Sequence, residues 1–429
     1  RTQRGRTTMP SRNSVLSGVF VLGVLLLAGC DEITRSGDPG GATGAADPRL
    51  AKEAVPPALV DANMRFAFGI YQRLVETPPA ENLFISPASI SLALAMAYNG
   101  AAGNTKEAMA RTLGLGEMTL EEANQANLVL LSNLVYADET AKLAIANSVW
   151  ANQGYGFYES FLDRNRRYFG AEVATLDFAR PSALATINGW VERNTFGKIP
   201  SILDEIPDFA IMYLINAIYF KGEWTNKFDV AETRMRPFTL SSGSAKNVPM
   251  MTRHGRYAYL QNDLFQGVAL PYGNKRFSMY VLLPKEDVGL AALNRALTVS
   301  NWTTWVAEFD TMEGTISLPR FEARYEETLN SVLSAMGMGV AFDPYGADFS
   351  AMLPVSPSRN VFINEVKHKT YLKVDEEGSE AAAATSVGFG VTSVPVTFNM
   401  VVNRPFFLVI RENKSGTILF MGTIVDPSS

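Results

Sequence analysis

The sequence predicts an α+β fold built as one large domain. Helical patterns of apolar residues fill the first part of the folded body, and β-rich runs fill the last part. The two do not alternate as they would around a parallel sheet. No Pro/Gly/Ser-rich break follows residue 57, although 429 residues would leave room for a second domain.

The helices come first. Asp61 is a candidate N-cap, and Phe66, Ile70 and Leu74 then share one face. Ser86-Pro87 reads as an N-cap with proline at the first helical position, and Ile90, Leu94 and Ala97 form the stripe behind it. Asn104-Thr105 opens a helix that Gly114 ends. Residues 119–136 follow, with Glu121 and Glu122 near the positive end of the helix dipole. Residues 158–169 and 182–196 complete the group. Strands then take over: Ile211–Phe220, Ser278–Leu283, Gly314–Leu318 and Val361–Val374. A helix is expected over 326–337. Pro405–Arg411 and Thr417–Val425 form a hairpin turning at Asn413-Lys414-Ser415-Gly416.

Ahead of this body lies a segment of another kind. Arg12, the apolar run Val15–Leu27 and the small residues after it have the three-part build of a secretory signal. Leu27-Ala28-Gly29-Cys30 resembles a bacterial lipobox, which implies cleavage before Cys30, acylation of its sulfur, and a lipid-anchored protein at the bacterial cell envelope. Residues 31–57, rich in Gly, Ala, Pro and Asp, read as a flexible tether, with the folded domain occupying 58–429.

Composition removes several function classes. The net charge is −5, and −9 without residues 1–30, which argues against nucleic-acid binding. Cys30 is the single cysteine, so an intramolecular disulfide and a cysteine metal cluster are excluded. His254 and His368 are the two histidines; no metal site or cofactor is expected from them, and His254 reads as a solvated turn. The Gly-x-Ser-x-Gly elbow of a hydrolase is missing, which argues against a hydrolase.

Five segments, in order, resemble the serpin family. They are Asn82–Asn99, Asn216–Trp224, Pro319–Val340, Lys373–Ala384 and Arg404–Pro427. The resemblance implies a single α+β domain with three β-sheets, eight to nine helices and an exposed reactive loop. It implies suicide inhibition of serine proteases, sometimes of cysteine proteases, by a monomer that is not an enzyme, since the nucleophile belongs to the target. A protease cuts the loop and becomes an acyl-enzyme, and the loop then inserts into a sheet as a new strand. Serpin loop insertion is a standard example of strand addition and strain release.

The loop carries its own physical signature. The hinge reads Glu376, Glu377, Gly378, Ser379, Glu380, Ala381, Ala382, Ala383, Ala384. Read as a strand, Ser379, Ala381, Ala383, Thr385, Val387 and Phe389 share one face, small at first and then apolar. That is a buried-strand pattern where an exposed loop is expected. A short helix is the rival reading of the alanine run, since alanine has the best helix propensity. Counting forward from the hinge places the bait bond at Thr392-Ser393; Val391 and Val394 are alternatives, because the count back from Arg404 falls about two residues later. No Lys or Arg lies between 378 and 403, which disfavours trypsin-like targets and favours elastase-like or subtilisin-like ones.

By the same resemblance, Ser86, Ser89, Asn216 and His368 match the shutter beneath the central sheet, and Trp224 matches the breach where the loop first enters. Residues 119–136 contain no Lys or Arg, so heparin activation is not expected; Arg164, Arg166 and Arg167 read as a solvated face. A non-inhibitory carrier or chaperone is the alternative function; bulky, charged or Pro residues in the hinge would be its sign, and the run Ala381–Ala384 argues against it.

Overall fold

The computed structural model describes residues 45–77, 80–354, 360–379 and 397–428. Cys30, Glu380, Ala381, Ala382, Ala383, Ala384, Thr392 and Ser393 lie outside the described residues. Those described all belong to one unit, Pro39–Ser429.

The helices are α1 (Pro57–Leu74), α2 (Pro87–Tyr98), α3 (Gly103–Leu113), α4 (Leu120–Val135), α5 (Glu159–Phe169), α6 (Pro181–Asn194), α7 (Gly289–Ala296), α8 (Val299–Glu308) and α9 (Asn330–Leu333). The strands are β1 (Leu83–Ile85), β2 (Ala141–Asn152), β3 (Glu172–Leu176), β4 (Met212–Glu223), β5 (Arg234–Thr239), β6 (Ala245–Gln261), β7 (Phe265–Tyr272), β8 (Phe277–Pro284), β9 (Asp310–Pro319), β10 (Phe321–Thr328), β11 (Lys367–Val374), β12 (Gly378–Ser379), β13 (Phe398–Val401), β14 (Phe406–Glu412) and β15 (Ile418–Ile424).

Three sheets result. Nine strands form the largest, in the order β1-β15-β14-β8-β7-β6-β9-β13, with β5 on β6. The second is β12-β4-β2-β3, and the third is β10-β11. The main core packs α1 and α2 against the large sheet, where Tyr71 meets Phe407 edge-on at 5.2 Å. A second core lies between α6 and the β4-β2 face, around Trp150, Trp190, Ile187 and Ile215.

Most helix boundaries follow the local chemistry. Ser86 caps α2 by accepting from Ser89 N, and Pro87 opens it. Thr119 and Glu122 form a capping box on α4. Gly114 ends α3 at φ 69°, a conformation that costs glycine nothing. Asp61 is not a cap: Pro57 starts α1 a turn earlier and leaves Asp61 inside the helix. Residues 47–55, within the expected tether, lie against α4. There Asp47 N donates to Ser132 Oγ (3.0 Å), and Asn133 Nδ2 donates to the carbonyls of Leu50 and Glu53.

Two further expectations change. Residues 326–337 are not one helix. Glu326–Thr328 finish β10, where Glu326 stands opposite Lys369 and pairs with it at 3.0 Å, so cross-strand pairing overrides helix propensity. Only α9 is α-helical there, and Gly337 turns the chain at φ 107°. His254 is not in a turn but on β6 opposite Thr315, with its ring between Thr315 Oγ1 and Glu313 Oε1.

The β14–β15 turn rests on a buried charge. Glu412 is fully buried, and it accepts hydrogen bonds from Arg276, Ser415 and the Lys414 N–H. Burial works to raise its pKa, but the Ser415 and Arg276 hydrogen bonds outweigh it and hold the carboxyl below its ordinary value. Glu412→Ala leaves the largely buried Arg276 without its partner. A loss of about 3 kcal/mol is expected in chemical denaturation; an unchanged midpoint would show that the turn does not depend on this pair.

Candidate functional site

Two strands that run side by side do not pair. Among the described residues β4 and β11 share no ladder, and the β4 sheet and the β10-β11 sheet face each other across a gap. Residues 361–366, expected to be strand, carry no ladder; Ile363 N donates instead to the Ala341 carbonyl and Val366 N to Asn330 Oδ1. The gap opens into a cavity of about 180 Å³. Its floor is α2, and its cover is the segment between α6 and β4, which contributes Ile202 and Leu203.

The top of the gap is already filled. After β11 the chain reverses at Asp375–Gly378, closed by Asp375 N to Gly378 O (2.9 Å), and β12 pairs antiparallel with β4. Gly378 sits opposite Glu223 at φ 149°, where a Cβ would collide with the Gly222 carbonyl, so the position requires glycine. Ser379 is buried, its hydroxyl 3.0 Å from Tyr272 Oη. The strand is therefore started for two residues, with the face that begins at Ser379 turned inward.

Charges and aromatics fasten this end. Glu376 is buried; its carboxylate accepts from Arg320 and from Thr233 Oγ1. Burial would raise its pKa, but those hydrogen bonds hold it below the ordinary value. Glu377 pairs with Lys227 at 2.8 Å, and Lys227 also reaches Glu223 at 2.9 Å. Trp224 stacks on Tyr272 with ring centres 4.4 Å apart, and its Nε1 donates to the Asp375 carbonyl at 2.9 Å.

Beneath the gap, the four residues expected as a shutter do converge. Ser86 N donates to His368 Nε2 (3.0 Å) and Ser86 Oγ donates to the Leu419 carbonyl (2.7 Å). Ser89 Oγ donates to the Asn216 carbonyl at 3.4 Å. Because His368 Nε2 accepts, the ring is neutral with its proton on Nδ1. Burial pushes its pKa down to about 3.

Sequence reading missed the partners. Arg320, Thr233, Lys227 and Tyr272 come from four separate segments, and no spacing links them to the hinge. It also missed a strap over the gap. Lys367 on β11 reaches Asp204 on the cover as well as Glu326 on β10 (3.0 Å), and Lys369 reaches Glu326 at 3.0 Å. Of the arginines read as a solvated face, Arg166 does pair with Asp163, but Arg164 turns inward to the Asn99 carbonyl.

Two sheets that face each other across a gap, with a two-residue strand paired at its upper end, define the fold class. The sequence model of the family described as "Serpin (serine protease inhibitor)" matches residues 61–427, and the chain belongs to this family. It is 36% identical to the leukocyte elastase inhibitor of Homo sapiens over 381 residues, covering 86% of this chain and 99% of that one. Serpin B11 of Homo sapiens is 33% identical, covering 86% and 100%. The native-state crystal structure of the thermophilic serpin tengpin is similar, with TM-score 0.80, 31% identity, and coverage of 87% of this chain and 95% of that one. Thyroxine-binding globulin complexed with thyroxine has TM-score 0.77 and 28% identity, covering 86% and 99%.

Two outcomes follow. Below pH 6.5 the unfolded chain takes up a proton on His368 that the fold refuses until about pH 3, so stability falls as pH drops through that window. His368→Gln keeps an acceptor for Ser86 N and does not titrate. Thermal melts from about pH 7 to pH 5 should show a shallower slope for the variant; equal slopes would place the acid sensitivity elsewhere. Asp204→Asn cuts the strap. It should speed loss of the native form on mild heating by about twofold to fivefold, the range of one partly exposed ion pair. No change would mean that the cover is held by its apolar contacts alone.

Proposed function

We propose that this serpin is a suicide inhibitor of serine endopeptidases, of elastase-like or subtilisin-like specificity, held at a bacterial cell envelope by lipid on Cys30. The observation that carries the inhibitory reading is the gap: its upper end is occupied by Gly378-Ser379 and the rest is open. The residues that continue from Ser379 are small on the alternating face that Ser379 starts, so the strand is written to be extended.

The chemistry belongs to the protease. Its serine oxygen attacks the Thr392 carbonyl carbon, the bond to Ser393 nitrogen breaks, and that amine leaves with the proton. Thr392 is then esterified to the protease. Before water attacks the ester, residues 380 onward enter the gap and form ladders with β4 and β11. Some ten new hydrogen bonds, each worth about 1 kcal/mol net, supply on the order of 10 kcal/mol to carry the protease along and distort its site. The small loop residues and the likeness to an elastase inhibitor support the specificity assignment. The lipobox-like Leu27–Cys30 supports the anchor.

A carrier function is the second reading, because thyroxine-binding globulin shares the fold. The hinge favours inhibition over it: Ser379 and Ala381–Ala384 offer nothing bulky or charged to block insertion.

The test is a gel assay of the protein with elastase-like, subtilisin-like, chymotrypsin-like and trypsin-like proteases, with mass spectrometry of the cut. An SDS-stable complex cut near Thr392 is expected with the first two. Ala381→Arg places a cation on the buried face and should turn the inhibitor into a substrate, cut at the same bond but leaving no complex. Wild-type cleavage without complex or gain in thermal stability would overturn the inhibitory reading.

A further inference from the structure

We propose that Lys221 on β4 and Lys373 on β11 form a receiving position for one carboxylate on the outer face of the two sheets, that Glu380 fills it as the strand begins to extend, and that this pairing sets the register of insertion. The proposal rests on the inhibitory reading.

Two registers define the position. β12 pairs with β4 at Gly378–Glu223 and Ser379–Gly222. Continued by one residue, that ladder sets position 380 opposite Lys221. On the other side, Asp375 and Gly378 exchange both backbone hydrogen bonds, Asp375 N to Gly378 O at 2.9 Å and Gly378 N to Asp375 O at 3.3 Å, as a bonded pair of an antiparallel hairpin does. Counted down from there, 379 stands opposite Val374 and 380 opposite Lys373. The two counts agree on the face as well. Ser379, Gly222 and Val374 are buried on the inner side, so position 380, Lys221 and Lys373 belong to the outer one.

The cations there lack the group that position 380 would bring. Lys221 stands directly opposite Lys142 on β2, and like charges so placed destabilise a ladder. Among the described residues neither lysine has an ion-pair partner, and Lys142 lies over the Phe196 ring at 3.7 Å. The acids around them are committed. Glu223 and Glu377 share Lys227, and Glu322, opposite Lys373 on β10, is held by Arg324 at 2.7 Å. Lys373 itself reaches Asp375 at 3.2 Å. Lys142, Lys221 and Lys373 therefore lie in one row across the two sheets, interrupted where a strand is missing.

The sequence supplies the match. Glu380 is the single charged residue between Gly378 and Arg404. Between two lysines on the outer face it gains a cross-strand partner on each side. A slip of one residue would turn it inward, beside Val374 and Phe220, and place a charge in the apolar core. The lysines thus favour the one register that sends the small side chains of Ala381 and Ala383 inside.

Charge reversal in the full chain tests this, read by the inhibitor molecules spent per protease and by melting temperatures before and after a single cut in the loop. Glu380→Gln should raise the number spent by about twofold to fivefold, the range of one partly exposed ion pair. Glu380→Lys should raise it further and lower the melting temperature of the cut protein, leaving the intact protein unchanged. Lys221→Glu added to Glu380→Lys should restore both readouts, which a merely structural role for Lys221 would not do. Lys373→Glu is the second rescuing variant, should Lys221→Glu fold poorly. Wild-type behaviour of Glu380→Lys, failure of both rescues, or equal charge coupling before and after the cut would each overturn the position. If the wild-type protein gains no thermal stability on cleavage, the inhibitory reading falls and this position falls with it. A gain that ignores the charges overturns the position alone.

Discussion

The structure turns on two backbone edges that are kept from pairing. The facing edges of β4 and β11 would form a ladder if they met, and hydrogen-bonding groups on strands ordinarily find partners. They are held apart at one end by β12, a wedge two residues long, and from below by α2. There His368 is tied to the start of α2 through Ser86. This arrangement stores an unmade sheet. The remaining features of the site either hold the wedge in place or cover the opening.

The wedge end is fastened by groups of unequal strength. Glu376 and Glu377 are partly or wholly withdrawn from water, so their pairs with Arg320 and Lys227 are less screened than surface ion pairs. The Trp224–Tyr272 stack adds apolar contact that salt does not weaken. Over the opening, by contrast, Asp204 is mostly exposed, and its bond to Lys367 is the weakest fastening. A protein arranged this way opens most readily along the cover, below a top end that stays fixed. The insertion proposed above, proceeding downward from β12, draws on that asymmetry.

Much of the fold was legible because it is local. The cap at Ser86, the helix over 119–136 with its acids in front, the stop at Gly114 and the hairpin turning at 413–416 are each written within a few residues, and the structure places each there. The stretches that misled did so for non-local reasons. Glu326–Thr328 are strand because Lys369 and His368 stand opposite them, and Val361–Val366 lack a ladder, with Ile363 N and Val366 N bonded instead to Ala341 and Asn330. The site divides in the same way. Ser86, Ser89, Asn216, His368 and Trp224 were found through a family resemblance carried by the segments around them. Arg320, Thr233, Lys227 and Asp204 touch the hinge or the gap from distant parts of the chain, and a single sequence carries no sign of such contacts.

The central claim is that the open edges of β4 and β11 receive the reactive loop. Amide hydrogen exchange, before and after a single cut in the loop, tests it directly on those amides of Met212–Asn216 and 361–366 that point into the gap, leaving out the ones bonded to β2 and those of Ile363 and Val366, which already have partners. The account predicts exchange within the fast, locally opening range in the intact chain and protection approaching that of the large sheet after the cut. Exchange in these two stretches that is the same before and after cleavage would contradict it, because the gap would then have stayed empty.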